Sequence, residues 1–150
     1  MKIAIALAEE GMKTNQGGPF GAIVVKGDDI IGRGSNQVTS TNDPTAHAEV
    51  TAIRDACRNI DTFQLTGCTV YTSCEPCPMC LGAIYWARPD RIVFGGTRKD
   101  AAAIGFDDEF LYKEMVTPID QRVIPTIQME RAAVLKVFKD WEAKEDKIVY

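Results

Sequence analysis

A lone histidine and a pair of cysteines are the side chains of this sequence best suited to hold a metal. His47 is the one histidine in 150 residues and sits in Asn42-Asp43-Pro44-Thr45-Ala46-His47-Ala48-Glu49. Downstream comes Ser73-Cys74-Glu75-Pro76-Cys77-Pro78-Met79-Cys80. Zinc takes imidazole and thiolate ligands tetrahedrally, and a catalytic site keeps three protein ligands with the fourth position for water. His47, Cys77 and Cys80 meet that count, with one ion per chain. Glu49 follows His47 by two, a spacing that turns side chains roughly 200° apart on a regular helix. It is therefore read as a free acid/base beside the metal, not as a ligand. Two thiolates offset most of the ion's charge, so its water is less acidified than at an all-histidine site and needs a nearby carboxylate.

Other readings of the same residues exist. Cys74 stands three positions before Cys77, so a closed structural site from Cys74, Cys77, Cys80 and His47 is available, though it leaves no position for water. A zinc-stabilised interaction module without catalysis is a further alternative.

The ligands need elements to bring them together. Residues 1 to about 12 read as a short helix with Ile3, Leu7 and Gly11 on one side. After the break at Gly17-Gly18-Pro19, residues 22–26 and 30–34 form a hairpin across Gly27-Asp28-Asp29, and 35–42 is polar loop. Asp43-Pro44 resembles an N-cap followed by proline, opening a helix from Ala46 to about Asn59 with Val50, Ile53 and Cys57 on one face. Residues 68–72 make a third strand. Glu75-Pro76 repeats the acid-proline start for a helix over 77–86, and residues 91–95 make a fourth strand. A fifth strand is expected within Arg122 to Gln128. Val134, Leu135, Phe138 and Trp141 then mark an amphipathic C-terminal helix. If both helix starts are right, two helix N-termini point at the metal and favour thiolates. The expected architecture is a three-layer α/β/α sandwich around a five-stranded mixed sheet, in a single domain over 1–150.

Composition narrows the class. Hydrophobic content of 45% and charged content of 25% are those of a compact globular chain, not a disordered or membrane-spanning one. A net charge of −4 argues against a broad phosphate-binding surface. Five cysteines, three of them within residues 74–80, suit metal ligation in a reducing compartment, and the cytoplasm is expected. The apolar start Ile3-Ala4-Ile5-Ala6-Leu7-Ala8 is too short for a secretory signal and runs into Glu9-Glu10.

His-x-Glu followed by Pro-Cys-x-x-Cys resembles the signature of the zinc-dependent cytidine deaminase-like superfamily. Longer runs, Gly18-Pro19-Phe20-Gly21-Ala22, Asn42 to Arg54, Thr72 to Arg88 and Gly105-Phe106-Asp107-Asp108, are similar to those of bacterial guanine deaminases. The likeness spans nearly the whole chain and departs at a shorter N-terminus and in the tail before Tyr150. It implies hydrolysis of guanine to xanthine and ammonia: zinc-bound hydroxide attacks C2, and Glu49 shuttles the proton to ring N3 and then to the leaving amine. It further implies that Asn36 hydrogen-bonds the purine, that Phe20 lines the pocket beside His47, and that the backbone around Ala48 and Glu75 lines it too. Asp108 becomes a candidate second proton carrier. A homodimer is implied, in which a segment from about 130 to 150 crosses to the partner and Tyr150 covers its site.

The rivals within this superfamily are tRNA adenosine deamination and deamination of another small amino-heterocycle, such as cytosine or ammeline. The first calls for an electropositive surface, yet residues 130–150 carry five basic and five acidic side chains. No membrane and no nucleic-acid partner are expected.

Overall fold

A computed structural model describes residues 1–149, and Tyr150 lies outside the described residues. The chain divides into two compact units, one ending at Asp108 and the other beginning at Glu109.

The first unit opens with α1 (Lys2–Lys13), then β1 (Gly21–Lys26) and β2 (Asp29–Ser35) as an antiparallel hairpin. A short α2 (Val38–Thr41) and a long α3 (Ala48–Asn59) precede β3 (Cys68–Cys74), α4 (Pro78–Ala87), β4 (Arg91–Gly96) and α5 (Arg98–Ala103). The strands order as β2-β1-β3-β4, with β1 and β3 antiparallel and β3 and β4 parallel. The sheet is thus mixed, as the hairpin followed by strand-helix-strand predicts, and the fold is α/β.

Helices cover both sheet faces, and two glycines set how closely. In β1, Gly21 lies under α1, where a Cβ would come within 2.2 Å of the Ala4 carbonyl. Ala22 pairs with Gly34 on the other face, and there a Cβ on Gly34 would meet the Ala48 carbonyl at 2.3 Å. The seam of α3 against the sheet is correspondingly small: Ala48, Ala52 and Ala56 are fully buried with Ala22, Val24, Val70 and Cys68. Such backbone-close packing fixes where the first residue of α3 can lie.

Several expectations change. The sheet has four strands among the described residues, not five. Residues 122–128 form no strand: Pro125 lacks the N–H a ladder needs, and Val123, Ile124 and Ile127 are exposed. The polar stretch 35–42 contains α2 instead of being loop throughout. On α1 the buried residues are Ala4, Ala8 and Gly11, while Ile3 points out, because only small side chains fit over Gly21.

Both site helices start later than expected, α3 at Ala48 in place of Ala46 and α4 at Pro78 in place of Cys77. Asp43 does cap, but locally, accepting from the Thr45 N–H at 2.8 Å and hydroxyl at 2.6 Å. Pro76 stays outside α4, and Pro78 takes its first turn.

The second unit contains α6 (Glu109–Val116), a 3-10 turn (Ile119–Gln121) and α7 (Arg131–Ala143), the last being the predicted C-terminal helix. None of its described residues is buried, and Phe110, Met115, Val137, Phe138 and Trp141 are exposed.

Candidate active site with a histidine-cysteine metal centre

The later helix starts make His47 the N-cap of α3 and Cys77 the N-cap of α4, both with extended backbone. An N-cap side chain ordinarily turns back to accept the N–H of the second or third helical residue, so N-cap and third residue are neighbours. In α4 that neighbour is Cys80. The capping-box spacing here brings two sulfurs together, and neither His47 nor Cys77 makes a side-chain cap hydrogen bond.

His47 Nδ1 lies 3.6 Å from Cys77 Sγ and 3.5 Å from Cys80 Sγ. The three donor atoms all fall within 4.8 Å of one another. With Zn–N about 2.0 Å and Zn–S about 2.3 Å, a tetrahedral ion holds nitrogen and sulfur about 3.5 Å apart. The residues therefore fit zinc in both donor chemistry and spacing. Cys80 is fully buried, whereas His47 and Cys77 are each only partly buried.

Glu49 stands beside this group. Because His47 precedes the helix, the helical angle between the two residues does not apply, and the carboxyl reaches the ligands directly: the Cys80 thiol donates to Glu49 Oε2 at 3.4 Å. The Thr72 hydroxyl donates to Glu49 Oε1 at 3.2 Å. Burial raises the Glu49 carboxyl above the ordinary carboxylate range, and the charge of Cys77 adds to the shift. Cys77 is pulled down by the hydrogen bond from Cys80 and then by His47, while Cys80 is pushed up by the same bond and by burial. His47 is raised chiefly by its hydrogen bond with Cys77. Cys74, by contrast, is pushed up to about 11 by burial and donates to the Thr97 carbonyl at 3.6 Å. It stands outside the three-residue group, so the closed four-ligand alternative is not formed.

The remaining predicted residues divide. Asn36 is buried, and its Oδ1 accepts from the N–H groups of Gly18 and Val38, each at 3.2 Å, which leaves the amide nitrogen as its donor. Phe20 packs on the core and meets Phe106 edge to face at 4.9 Å. Asp108 is raised by burial and then by the charge of Cys77, which puts it within electrostatic reach of the metal group. Ala48 has its side chain wholly in the core, so only its main chain is available. The Glu75 carboxylate accepts from the Arg98 N–H at 3.0 Å, and its own N–H bonds the Gly96 carbonyl at 2.8 Å, tying the approach to Cys77 to the end of β4. Two residues went unassigned in the sequence. Phe106 stands in Gly105-Phe106-Asp107-Asp108, and Thr72 is the polar member of an alternating Cys68-Val70-Thr72 stripe.

A mixed α/β sheet presenting histidine, two cysteines and a buried glutamate at two helix starts defines a zinc-dependent deaminase. Residues 1–96 match the model of the cytidine and deoxycytidylate deaminase zinc-binding region, and the chain belongs to that family, with zinc as its cofactor. Within the family it is 52% identical over 150 residues to guanine deaminase of Bacillus subtilis (strain 168), covering 100% of this chain and 96% of the relative. The X-ray structure of guanine deaminase from Bacillus subtilis superposes with a TM-score of 0.97, covering 99% of this chain and 95% of that one. The tRNA-specific adenosine deaminase of the same species is 33% identical over 140 residues, or 92% of this chain and 85% of the relative. No helix among the described residues is long and apolar enough to cross a membrane.

Proposed function

We propose that this chain is a zinc-dependent guanine deaminase, hydrolysing guanine and water to xanthine and ammonia. The observation that carries the reading is the buried Glu49 carboxyl in contact with a three-donor group spaced for zinc. Likeness to a guanine deaminase over the full chain favours guanine over tRNA adenosine, and so does a net charge of −4.

His47, Cys77 and Cys80 would hold the zinc, and bound there it supplies the Lewis acid that acidifies a water molecule. Glu49 would take one proton from the attacking water and pass it to ring N3 as the O–C2 bond forms, then take the second from the new C2 hydroxyl and deliver it to the amine as the C–N bond breaks and ammonia leaves. Its raised pKa suits both halves of that duty. Asn36 offers its amide nitrogen to a purine acceptor, Phe20 braced by Phe106 supplies an apolar wall, and the main chain at Ala48 and Glu75 completes the lining. Asp108, also raised by burial, is the second proton carrier.

The enzyme works as a cytoplasmic homodimer of one deaminase domain per chain, the segment from about 130 to 150 crossing to the partner so that Tyr150 closes its site. Support comes from the apolar side chains that the unit beginning at Glu109 leaves exposed while burying none of its own described residues.

Purified protein given a panel of guanine, adenosine, cytosine and ammeline tests the assignment through ammonia release. Guanine should be turned over fastest. Release from cytosine or ammeline alone would overturn the substrate assignment.

A further inference from the structure

Residues Cys68, Val70 and Thr72 of β3 alternate onto the sheet face that packs against α3, and the first two belong to the apolar core. Thr72 is paired with Ala22 of β1 and Phe94 of β4 and is 1% exposed. Valine has the same shape, favours strands equally and brings no polar atom to bury. The hydroxyl at this position therefore answers to something other than packing, and its partner is Glu49 Oε1.

The two carboxyl oxygens of Glu49 are held differently. Oε2 receives the Cys80 thiol, whereas Oε1 receives the Thr72 hydroxyl. Oε2 is thus the oxygen in contact with a residue that would hold the zinc, and Oε1 is the one tied to the strand. We infer that Thr72 is a positioning residue for proton transfer: it anchors Oε1 and leaves Oε2, the oxygen beside the ligand Cys80, to carry the proton. Thr72 acts through Glu49, and its role rests on the proposed reading of Glu49 as proton carrier. A carboxyl free to rotate about its last bond would present either oxygen at varying angles, and transfer efficiency depends on holding one of them in line.

The test compares Thr72→Val, Thr72→Ser, Thr72→Ala and Glu49→Gln with the parent. Zinc content, melting temperature, and kcat and KM for guanine are measured on each. Thr72→Val should keep its zinc, melt no lower than the parent, and lose about tenfold in kcat with KM unchanged within about twofold. Thr72→Ser restores the hydroxyl and should keep at least about half the parental kcat. Thr72→Ala should match the valine variant in kcat even if it melts lower, and it serves if the valine variant does not fold. In a Glu49→Gln background, adding Thr72→Val should leave the residual rate unchanged, because the proton transfer that Thr72 positions is already gone. Parental kcat in zinc-loaded Thr72→Val or Thr72→Ala would overturn the inference. So would an equal loss in Thr72→Ser, which would assign the effect to packing, or an undiminished loss in the Glu49→Gln background. Full turnover by Glu49→Gln would instead overturn the reading of Glu49, whereas an inactive Glu49→Gln beside a fully active Thr72→Val would overturn only the role of Thr72.

Discussion

Cys80 Sγ lies 3.5 Å from His47 Nδ1, a contact that joins the first turn of α4 to the N-cap of α3. Both helices give their capping positions to members of the group that could hold a metal, and neither N-cap makes a side-chain cap hydrogen bond. A lost cap costs a helix about 0.5 to 2 kcal/mol, a deficit that ligation of a metal would offset. Fold and metal are therefore coupled.

Removing the metal with a chelator should lower the urea midpoint of the protein, and re-adding zinc should restore it. The double variant Cys77→Ala, Cys80→Ala should retain less than about a tenth of the parental zinc, because two of three ligands are gone. Atomic absorption on the purified variant measures this directly. Full metal stoichiometry would contradict the ligand set.

Glu49→Gln keeps the shape of the side chain and removes its ability to carry a proton. Zinc should remain, and guanine turnover should fall about 10² to 10⁴-fold, the usual contribution of a positioned acid/base. Ammonia release with metal content measured on the same sample separates this from loss of the ion.

The same variant has a pH signature. The folded-state pKa of Glu49 is raised above its ordinary 4.5, mainly by burial. An acid so raised contributes stability below its unfolded pKa and loses it as pH rises through the folded value. Chelator-stripped Glu49→Gln escapes that loss. Its urea midpoint should gain on that of the stripped parent as pH rises above about 4.5, and a constant difference across the titration would rule the linkage out.

Close helix-sheet packing carries its own expectation. Gly34→Val would drive a side chain into the Ala48 carbonyl, 2.3 Å from where its Cβ would stand. Backbone cannot give way as a flexible side chain can, so a loss of about 1 to 3 kcal/mol is expected in urea unfolding. Zinc affinity should weaken with it, since α3 must lift from the sheet and carry His47 along.

The group that could hold a metal was legible in the sequence because its residue types are few and Cys77 and Cys80 stand three apart. His47, Cys77 and Cys80 needed no tertiary information to be grouped. The helix starts lie one or two residues later than read because acid-proline pairs at Asp43-Pro44 and Glu75-Pro76 mimic a cap, while the true caps, His47 and Cys77, are residues that no capping propensity favours. The absent fifth strand reflects a local pattern without a partner: Val123, Ile124 and Ile127 are β-branched, but strand pairing is a tertiary fact and Pro125 opposes it. Thr72 escaped notice because its meaning depends on Glu49, 23 positions away in sequence, reaching across from α3.

Exchange of the C-terminal segment can be read from mixed dimers. If Tyr150 of one chain closes the site of its partner, Tyr150→Ala should lower guanine turnover while zinc is kept, and so should Glu49→Gln, for a different reason. Mixing the two variants under conditions that allow subunits to exchange makes hybrid dimers. In each hybrid, the site with an intact Glu49 is covered by the intact Tyr150 of the other chain. Random assortment should then return activity to about a quarter of the parental level, since half the dimers are hybrid and each has one complete site. A tail that closes over its own site would give no complete site in any hybrid, and the mixture would stay at the average of the two variants. Turnover of the mixture against time after mixing therefore decides whether the segment crosses, the rise above the average of the two variants growing with what Tyr150 contributes to each site and reaching the full quarter when each variant alone is nearly inactive.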